Sequence, residues 1–412
     1  RADMPFEWIV ALRFLREGRL QTALIVGGAG AGVAVVLFIT ALVSGLQANT
    51  IKRVLGTQAH IVIRPLEEVA RPQREAGAGE VVMPRVEARA QRLRSIDQWQ
   101  ALEPVLDAMS GITAVSPMVS GPAFALRGDA SKSIAIFGVD PARYDRIVAV
   151  GEKLVGGAFR LGPDDAVIGK ELAKDLGLAV GDRFRTLTAE TDSPVTQTFV
   201  VSGIVDLGVR DLNRRTVYVA FRTAQTLLSL PGGASQIDLK VDDLFGAETI
   251  ARGLEARTGL TVESWMRTNE QLLAAINAQN VSTGTIRTFV ALIVAVGIAS
   301  VLVVWVVQKR REIGILRAMG ASRGSVQRVF LLQGAMVAVA GSVLGSALGS
   351  GMIAAFTRIV RNADGTPLFD AIAVPGWLYA SAVGGAIVGG IVAAMLPARA
   401  AAKLDPAQAI RM

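Results

Sequence analysis

One histidine, His60, and no cysteine leave this chain of 412 residues with little means for covalent or metal chemistry. A Ser-His-Asp triad needs an imidazole between a nucleophile and a carboxylate, and a zinc site needs several imidazole or thiolate ligands. A lone histidine in the strand-like run Ala59–Arg64 builds neither. Without cysteine there is no disulfide, no thiol nucleophile and no lipid attached through sulfur. The carboxylate pairs Asp164-Asp165 and Asp242-Asp243 fall in turn-like contexts, where such oxygens stay solvated. A phosphate-cradling loop needs GxxxxGK[ST], so that backbone amides meet phosphate and a hydroxyl holds magnesium. The nearest run, Gly162 to Gly169-Lys170-Glu171, has the wrong spacing and carries a carboxylate in place of the hydroxyl. No catalytic residue, cofactor or metal is therefore expected in this chain. One segment does stand out, Lys309–Arg328, read KRREIGILRAMGASRGSVQR. Ile313, Leu316 and Met319 recur at helical spacing and Gly320 ends the run, which predicts a short amphipathic helix. Two surfaces could use it: lipid headgroups, with the Arg side chains on phosphates, or a partner protein docked on the helix.

The elements around that segment are set by four uncharged stretches, Gln21–Ile51, Thr288–Gln308, Val329–Thr357 and Ala371–Ala398. A hydrocarbon core about 30 Å thick needs roughly 20 apolar residues in helical form, and each stretch meets that length. More than 230 residues of mixed polarity separate the first stretch from the second, while the last three follow one another through short connections. The fold class expected is a membrane protein with four transmembrane helices and one large α/β domain between the first two. Charge assigns the sides. The segments before the first span, between the second and third, and after the fourth hold 13 basic and 5 acidic residues, the whole net charge of +8. Lys52–Arg287 balances 28 basic against 28 acidic residues, and the connection between the third and fourth spans balances as well. Cationic segments stay cytoplasmic, so both termini and the Lys309–Arg328 segment are expected inside and the large domain outside. The excess follows the membrane instead of one domain face, which argues against nucleic acid as a partner. No spans carry an ionisable residue at mid-length, which argues against an ion-coupled pump. The first span is too long for a signal-peptide apolar region and reads as an uncleaved anchor. Upstream, Phe6, Trp8, Ile9, Leu12 and Leu15 interleave with Arg13, Arg16 and Arg19, which suits a helix lying in the interface; a frayed terminus is the alternative.

Within the large domain, residues 52–267, alternating patterns predict strands at Ala59–Arg64, Ile112–Val119, Ala123–Arg127, Ser133–Val139, Gln236–Val241 and Leu260–Trp265. Helices are expected at Asp97–Ser110, capped by Asp97, and at Gly246–Arg257. Two strand–helix–strand units predict a ferredoxin-like lobe, about 57–149 and 235–267. It is split by a second lobe, about 150–234, with strands at Arg183–Leu187, Thr196–Val205 and Thr216–Phe221. Glu67–Arg94 has little apolar periodicity and reads as a long loop or a partly disordered excursion. Thr268–Arg311 holds no proline and predicts one helix of about 40 residues, a stalk of 268 onward that becomes the second span by 308. Gly341, Gly345 and Gly349 recur every fourth residue in the third span, as do Gly385 and Gly389 in the fourth. Small residues at that spacing allow close helix packing, or else line a substrate groove.

One span, a large domain, three spans and a KRREIGILRAMGAS segment after the second together resemble the MacB, lipoprotein-releasing and FtsX superfamily of ABC transporter permeases. The tail Pro397-Ala398-Arg399-Ala400-Ala401-Lys403-Leu404-Asp405-Pro406 is similar to that family's too, and Gly138-Val139-Asp140-Pro141 resembles a turn found in it. The resemblance implies that residues 309–328 form a coupling helix seated in a groove of an ATPase dimer. Arg311, Glu312, Ile313, Gly314, Leu316, Arg317, Met319 and Gly320 would be its contact residues. MacB carries a fused ATPase before its first span; here ATP and magnesium would sit on a separate subunit, as with the lipoprotein-releasing permeases. The family further implies the bacterial inner membrane, a second permease copy or paralogue, a periplasmic chaperone or adaptor, and lipid-modified or amphiphilic cargo. A cargo cavity between the first and second spans of two protomers is expected at Phe38, Leu42, Leu46, Phe289 and Leu292. Lipoprotein release is the leading expectation, with MacB-like export of amphiphiles or FtsX-like control of a cell-wall hydrolase as alternatives.

Overall fold

The computed structural model describes residues 6–66, 93–188, 195–360 and 376–403. The chain begins with α1 (Phe6–Glu17), α2 (Arg19–Leu55), β1 (Ile61–Arg64), α3 (Trp99–Asp107), β2 (Ile112–Arg127), β3 (Ala130–Val139), α4 (Pro141–Val148), β4 (Leu154–Gly157), β5 (Asp165–Gly169) and α5 (Lys170–Leu176). It continues with β6 (Arg183–Thr188), β7 (Thr196–Val205), α6 (Arg210–Arg215), β8 (Thr216–Ala220), α7 (Phe221–Leu227), β9 (Gln236–Val241), α8 (Ala247–Thr258), β10 (Thr261–Ser264) and α9 (Trp265–Thr268). It closes with α10 (Glu270–Gln308), α11 (Arg310–Ala318), α12 (Arg323–Ile359) and α13 (Gly376–Ala402). Two compact units result, an α/β unit of Ile51–Leu273 and a helical unit of the remainder.

In the α/β unit the strand order β10-β1-β9-β2, every neighbour antiparallel, is the ferredoxin-like arrangement built from two split strand–helix–strand units. One sheet face buries Ile61, Ile63, Ile237, Leu239 and Val262 against Leu106 of α3 and Ala251 and Leu254 of α8. The second lobe does not begin at residue 150. β2 is one strand of 16 residues, not two, and it leaves the ferredoxin-like sheet to enter the next. Its pairing with β9 ends at Met118 and its pairing with β6 starts at Ala123. Pro122, which donates no amide hydrogen, falls in that gap, where a ladder bond is not required. From there β2-β3-β8-β5-β7-β6 pair in turn and β6 returns to β2, closing a six-stranded barrel. Ala123, Ile136, Ile168, Val217, Phe184 and Phe199 fill it. The barrel therefore takes β3 and half of β2 from the lobe expected to end at 149.

Other boundaries differ as well. Asp97 does not cap α3; the capping position is Gln98, in the left-handed region, and α3 ends at Asp107. The helix expected across Thr268–Arg311 is interrupted at Asn269 and Lys309, leaving α10 at 39 residues, about 58 Å long. α13 runs through Pro397 to Ala402, so residues 399–402, assigned to a tail, are helical, with Ala398 and Ala401 buried; the rest of that tail, 404–412, lies outside the described residues. The loop expectation at Glu67–Arg94 and the connection 358–370 lie mostly outside the described residues.

Four helices of the helical unit, α2, α10, α12 and α13, are long and apolar enough to cross a membrane. α2 and α10 are tied at two polar levels. At one, the Trp305 indole N–H donates to Gln21 Oε1 and Gln21 Nε2 donates to Gln308 Oε1 at 3.3 Å. At the other, Gln47 Nε2 donates to Asn280 Oδ1 at 2.9 Å. Gln21 and Gln47 are 26 residues apart, about 39 Å along a helix, close to a bilayer's hydrocarbon core plus its interfaces. Between those levels α12 packs on α2 through its glycines. A Cβ built on Gly345 would lie 2.5 Å from Gly30 O and 2.7 Å from Val33 Cβ. Gly341 and Gly349 meet Ala29 and Leu37 in the same way, so all three serve helix packing. α12 and α13 approach through Gly334 and Gly390 instead of Gly385 and Gly389, which have no neighbour within 4 Å.

Candidate functional site

The segment after the second apolar helix forms two helices joined by a tight corner. α11 ends in a Schellman motif: Gly320 N–H donates to Arg317 O, Ala321 N–H donates to Leu316 O, and Gly320 takes φ +102°. Ser322 then caps α12, its hydroxyl accepting from Ser325 N at 3.1 Å. The start of α11 is held by charge. Lys309 Nζ donates to Glu17 Oε2 at 2.7 Å and to Glu312 Oε1 at 2.6 Å, and Arg13 Nε donates to Glu17 Oε1 at 2.9 Å. The Lys309 ammonium also sits 5.5 Å from the Phe14 ring centroid. Hydrogen bonds to Lys309 and Arg13 hold the Glu17 carboxyl below its ordinary pKa, and the bonds to Glu17 and Glu312 raise that of Lys309. α1 is thus a brace for α11. It buries Ala11 and Phe14 against Val329 and Leu316, while Phe6, Trp8 and Ile9, three residues of the expected apolar face, stay exposed.

The faces of α11 differ from the sequence expectation in the same way. Ile313 is buried among Leu302, Trp305, Phe330 and Ala401, and Gly314 is buried beside it. Leu316 and Arg317 are half-buried. Met319, assigned to the apolar face, is 72% exposed, and Ile315, off that helical spacing, is 43% exposed. Arg311, Glu312, Ala318 and Gly320 are also exposed. Ile315 and Met319 lie one turn apart with Arg311 a turn before, so the free surface of α11 is a narrow apolar stripe with a cationic end. The i, i+3 spacing of Lys309 and Glu312 is visible in sequence; Glu17 lies 292 residues from Lys309, and no local pattern reports it.

The five residues expected to line a cavity do not converge within one chain. Phe38 is half-buried and stacks edge-on with Phe356 of α12, their centroids 5.7 Å apart, and Leu42 is half-buried. Leu46, Phe289 and Leu292 are exposed, and Ile293 and Val296 extend that exposed apolar face of α10.

The polar residues singled out elsewhere in the sequence are held in local hydrogen bonds and ion pairs. His60 Nδ1 lies 3.0 Å from Val241 O and 3.1 Å from Val241 N, and burial depresses its pKa. Asp165 accepts from Gly162 N, and Asp243 N–H donates to Asp242. Lys170 pairs with Asp206, and a Cβ on Gly169 would strike Asn213 O at 2.1 Å, so this run packs against backbone. Asp140 caps α4, accepting from Ala142 N and Arg143 N with Pro141 at the first helical position.

Four membrane-crossing helices, a split ferredoxin-like and barrel unit after the first, and a braced amphipathic helix after the second define a permease architecture. Residues 22–257 match the family described as MacB-like periplasmic core domain and residues 284–406 the FtsX-like permease C-terminal family. The chain belongs to this family and is an ABC permease of the Lol and MacB type. It is 26% identical to the lipoprotein-releasing system transmembrane protein LolC of Xylella fastidiosa (strain 9a5c), with 99% of each chain covered. It is 24% identical to the corresponding LolE of Haemophilus influenzae (strain ATCC 51907 / DSM 11121 / KW20 / Rd), covering 93% of this chain and 92% of that one. It is 26% identical to the macrolide export ATP-binding/permease protein MacB 1/2 of Paracoccus denitrificans (strain Pd 1222), covering 98% of this chain but 58% of that longer relative.

Proposed function

We propose that this chain is the permease subunit of an inner-membrane transporter that releases lipoproteins, with ATP and magnesium bound by a partner ATPase dimer docked on α11. The observation that carries the docking is the exposed Ile315–Met319 stripe on a helix whose other face is fixed by Ile313 and whose start is fixed by Lys309. A push on that stripe moves α11 together with the ends of α10 and α12, because a helix so held cannot yield alone. Both termini and α11 face the cytoplasm in this reading, in keeping with the cationic excess of those segments. Full-length similarity to LolC and LolE supports lipoprotein as cargo and a second permease chain, copy or paralogue, as partner. Three acyl chains of about fifteen methylenes would cost on the order of 35 kcal/mol in water at about 0.8 kcal/mol each, so cargo must pass between apolar surfaces. Leu46, Phe289 and Leu292 offer such a surface to a second chain or to lipid; Phe38, engaged by Phe356, is withdrawn from that set. A periplasmic chaperone or adaptor would receive the cargo.

The test is purification of the full chain with its ATPase, then measurement of cargo-stimulated ATP hydrolysis in Ile315→Asp and Met319→Asp. Both are expected to keep the fold and lose stimulation; full stimulation in both would remove the docking assignment. Gly314→Trp would not test docking, because Gly314 is buried. Acylated lipoprotein recovered with the complex supports release, whereas an adaptor without lipoprotein moves the reading to MacB-like export.

A further inference from the structure

The junction of α1, α2 and the end of α10 encloses a cavity of about 370 Å³ that the docking of α11 does not use. Its polar lining is Arg19, Gln21, Gln308, Lys309 and Glu17, closed on the apolar side by Trp305 and Phe330. Both Glu17 oxygens are engaged, one by Arg13 and one by Lys309. Lys309 directs two of its three protons to Glu17 and Glu312, leaving one. Arg19 is exposed and makes no ion pair among the described residues. The amides are fixed in sense by the indole. Trp305 N–H can only donate, so the Gln21 oxygen accepts it, Gln21 nitrogen donates to the Gln308 oxygen, and the Gln308 NH₂ is left as a donor. The cavity therefore presents a guanidinium, an ammonium proton and an amide donor, and its one carboxylate is already neutralised. That set suits a phosphate oxyanion.

Depth selects which phosphate. Gln21 opens the uncharged run of α2 and Gln308 closes that of α10, so the cavity lies where headgroups stand. Toward the hydrocarbon, apolar side chains continue from Leu20 of the lining: Leu24 one turn further along α2, and Val304 and Val307 on α10, all exposed. We propose that this cavity binds the phosphodiester headgroup of an anionic phospholipid from the surrounding bilayer, with Arg19 on the phosphate and the acyl chains along Leu24 and Val304. Such a lipid ties the α10–α11 corner to headgroup depth, so that the braced helix and the lipid move as one.

The experiment is native mass spectrometry of the delipidated full chain titrated with phosphatidylglycerol. Wild type is expected to retain phosphatidylglycerol in preference to phosphatidylcholine. Arg19→Gln is expected to bind it roughly tenfold more weakly, in line with one charge-assisted hydrogen bond, and Arg19→Lys near the wild-type level. Arg16→Gln, exposed on α1 and outside the cavity lining, is the control and is expected to change nothing. Equal losses in Arg16→Gln and Arg19→Gln would mean diffuse attraction to a cationic surface and overturn the site. The wild-type arms stand whether or not a variant folds: no preference over phosphatidylcholine overturns the proposal, and displacement by millimolar inorganic phosphate would assign the cavity to free phosphate instead of lipid.

Discussion

Asp238 offers the sharpest quantitative check on the α/β unit. Its neighbours Ile237 and Leu239 enter the core between the sheet and α3 and α8, so Asp238 points to the opposite sheet face. There Tyr144 of α4 and Tyr218 of β8 lie beside it, both buried. Asp238 is 4% exposed and accepts one hydrogen bond, from Gln236 Nε2 at 2.8 Å. Burial outweighs that bond and the field of Arg64, and its pKa rises from 3.8 to about 7. Between those values the folded chain keeps a proton that the unfolded chain has released. Its contribution to stability is therefore greatest below about pH 4, falls as pH rises to 7 and is flat above. Two pH units at about 1.4 kcal/mol each give a loss of about 3 kcal/mol between pH 5 and pH 8. Asp238→Asn keeps a neutral group of similar shape and lacks that slope, so it should gain on wild type by the same amount over this range. The assay is hydrogen exchange of the Gln236–Val241 amides in the full chain at each pH, corrected for intrinsic rates, with all other titrating groups cancelling between the two proteins. A wild-type-minus-variant difference that does not change with pH would show that this carboxyl has found water or a cation, and would refute the reasoning.

Gly345→Leu should lower resistance to denaturing detergent by about 1–3 kcal/mol or more, because its Cβ would meet backbone at Gly30, while Gly389→Leu, with no neighbour within 4 Å, should be neutral; equal midpoints would refute the packing assignment. Gln333 is fully buried with neither amide atom hydrogen-bonded, so Gln333→Met should stabilise the helical unit by about 1–3 kcal/mol in the same titration. A destabilised variant would instead reveal a partner gained in another state. Gly320→Val, forced to a φ of +102°, should cost about 1–2 kcal/mol and appear as faster exchange of the α11 amides; unchanged protection would mean that the corner does not depend on the Schellman glycine.

Much of the architecture was legible in local pattern. The four apolar runs need only their length set against bilayer thickness, and the period-two alternation of Gln236–Val241 or Thr196–Val205 needs only the geometry of a strand. Gly320 as a helix end and Lys309 beside Glu312 are equally local. Faces were another matter. Periodicity says that Lys309–Gly320 has an apolar side, yet Ile313 is buried and Met319 exposed because α10, α12 and α13 cover the Ile313 flank and α1 the neighbouring Leu316, leaving the other flank free. The same spacing rule pointed to Gly385 and Gly389, while the close approach of α12 fell on Gly390. Barrel closure depends on β6 pairing with β2 some 60 residues upstream, and the continuous β2 hid behind Gly121-Pro122, which reads as a turn.

The sequence alone thus determined that the chain crosses a membrane four times and carries an α/β insertion after the first crossing, because those properties reside in runs and residue types. Only the tertiary structure decided which side chains of α11 are free, that Asp238 is roofed by α4, and that Glu17 and Lys309 meet across 292 residues of sequence. Each of those depends on which distant element covers a given face, and a contact between distant segments leaves no period in either one.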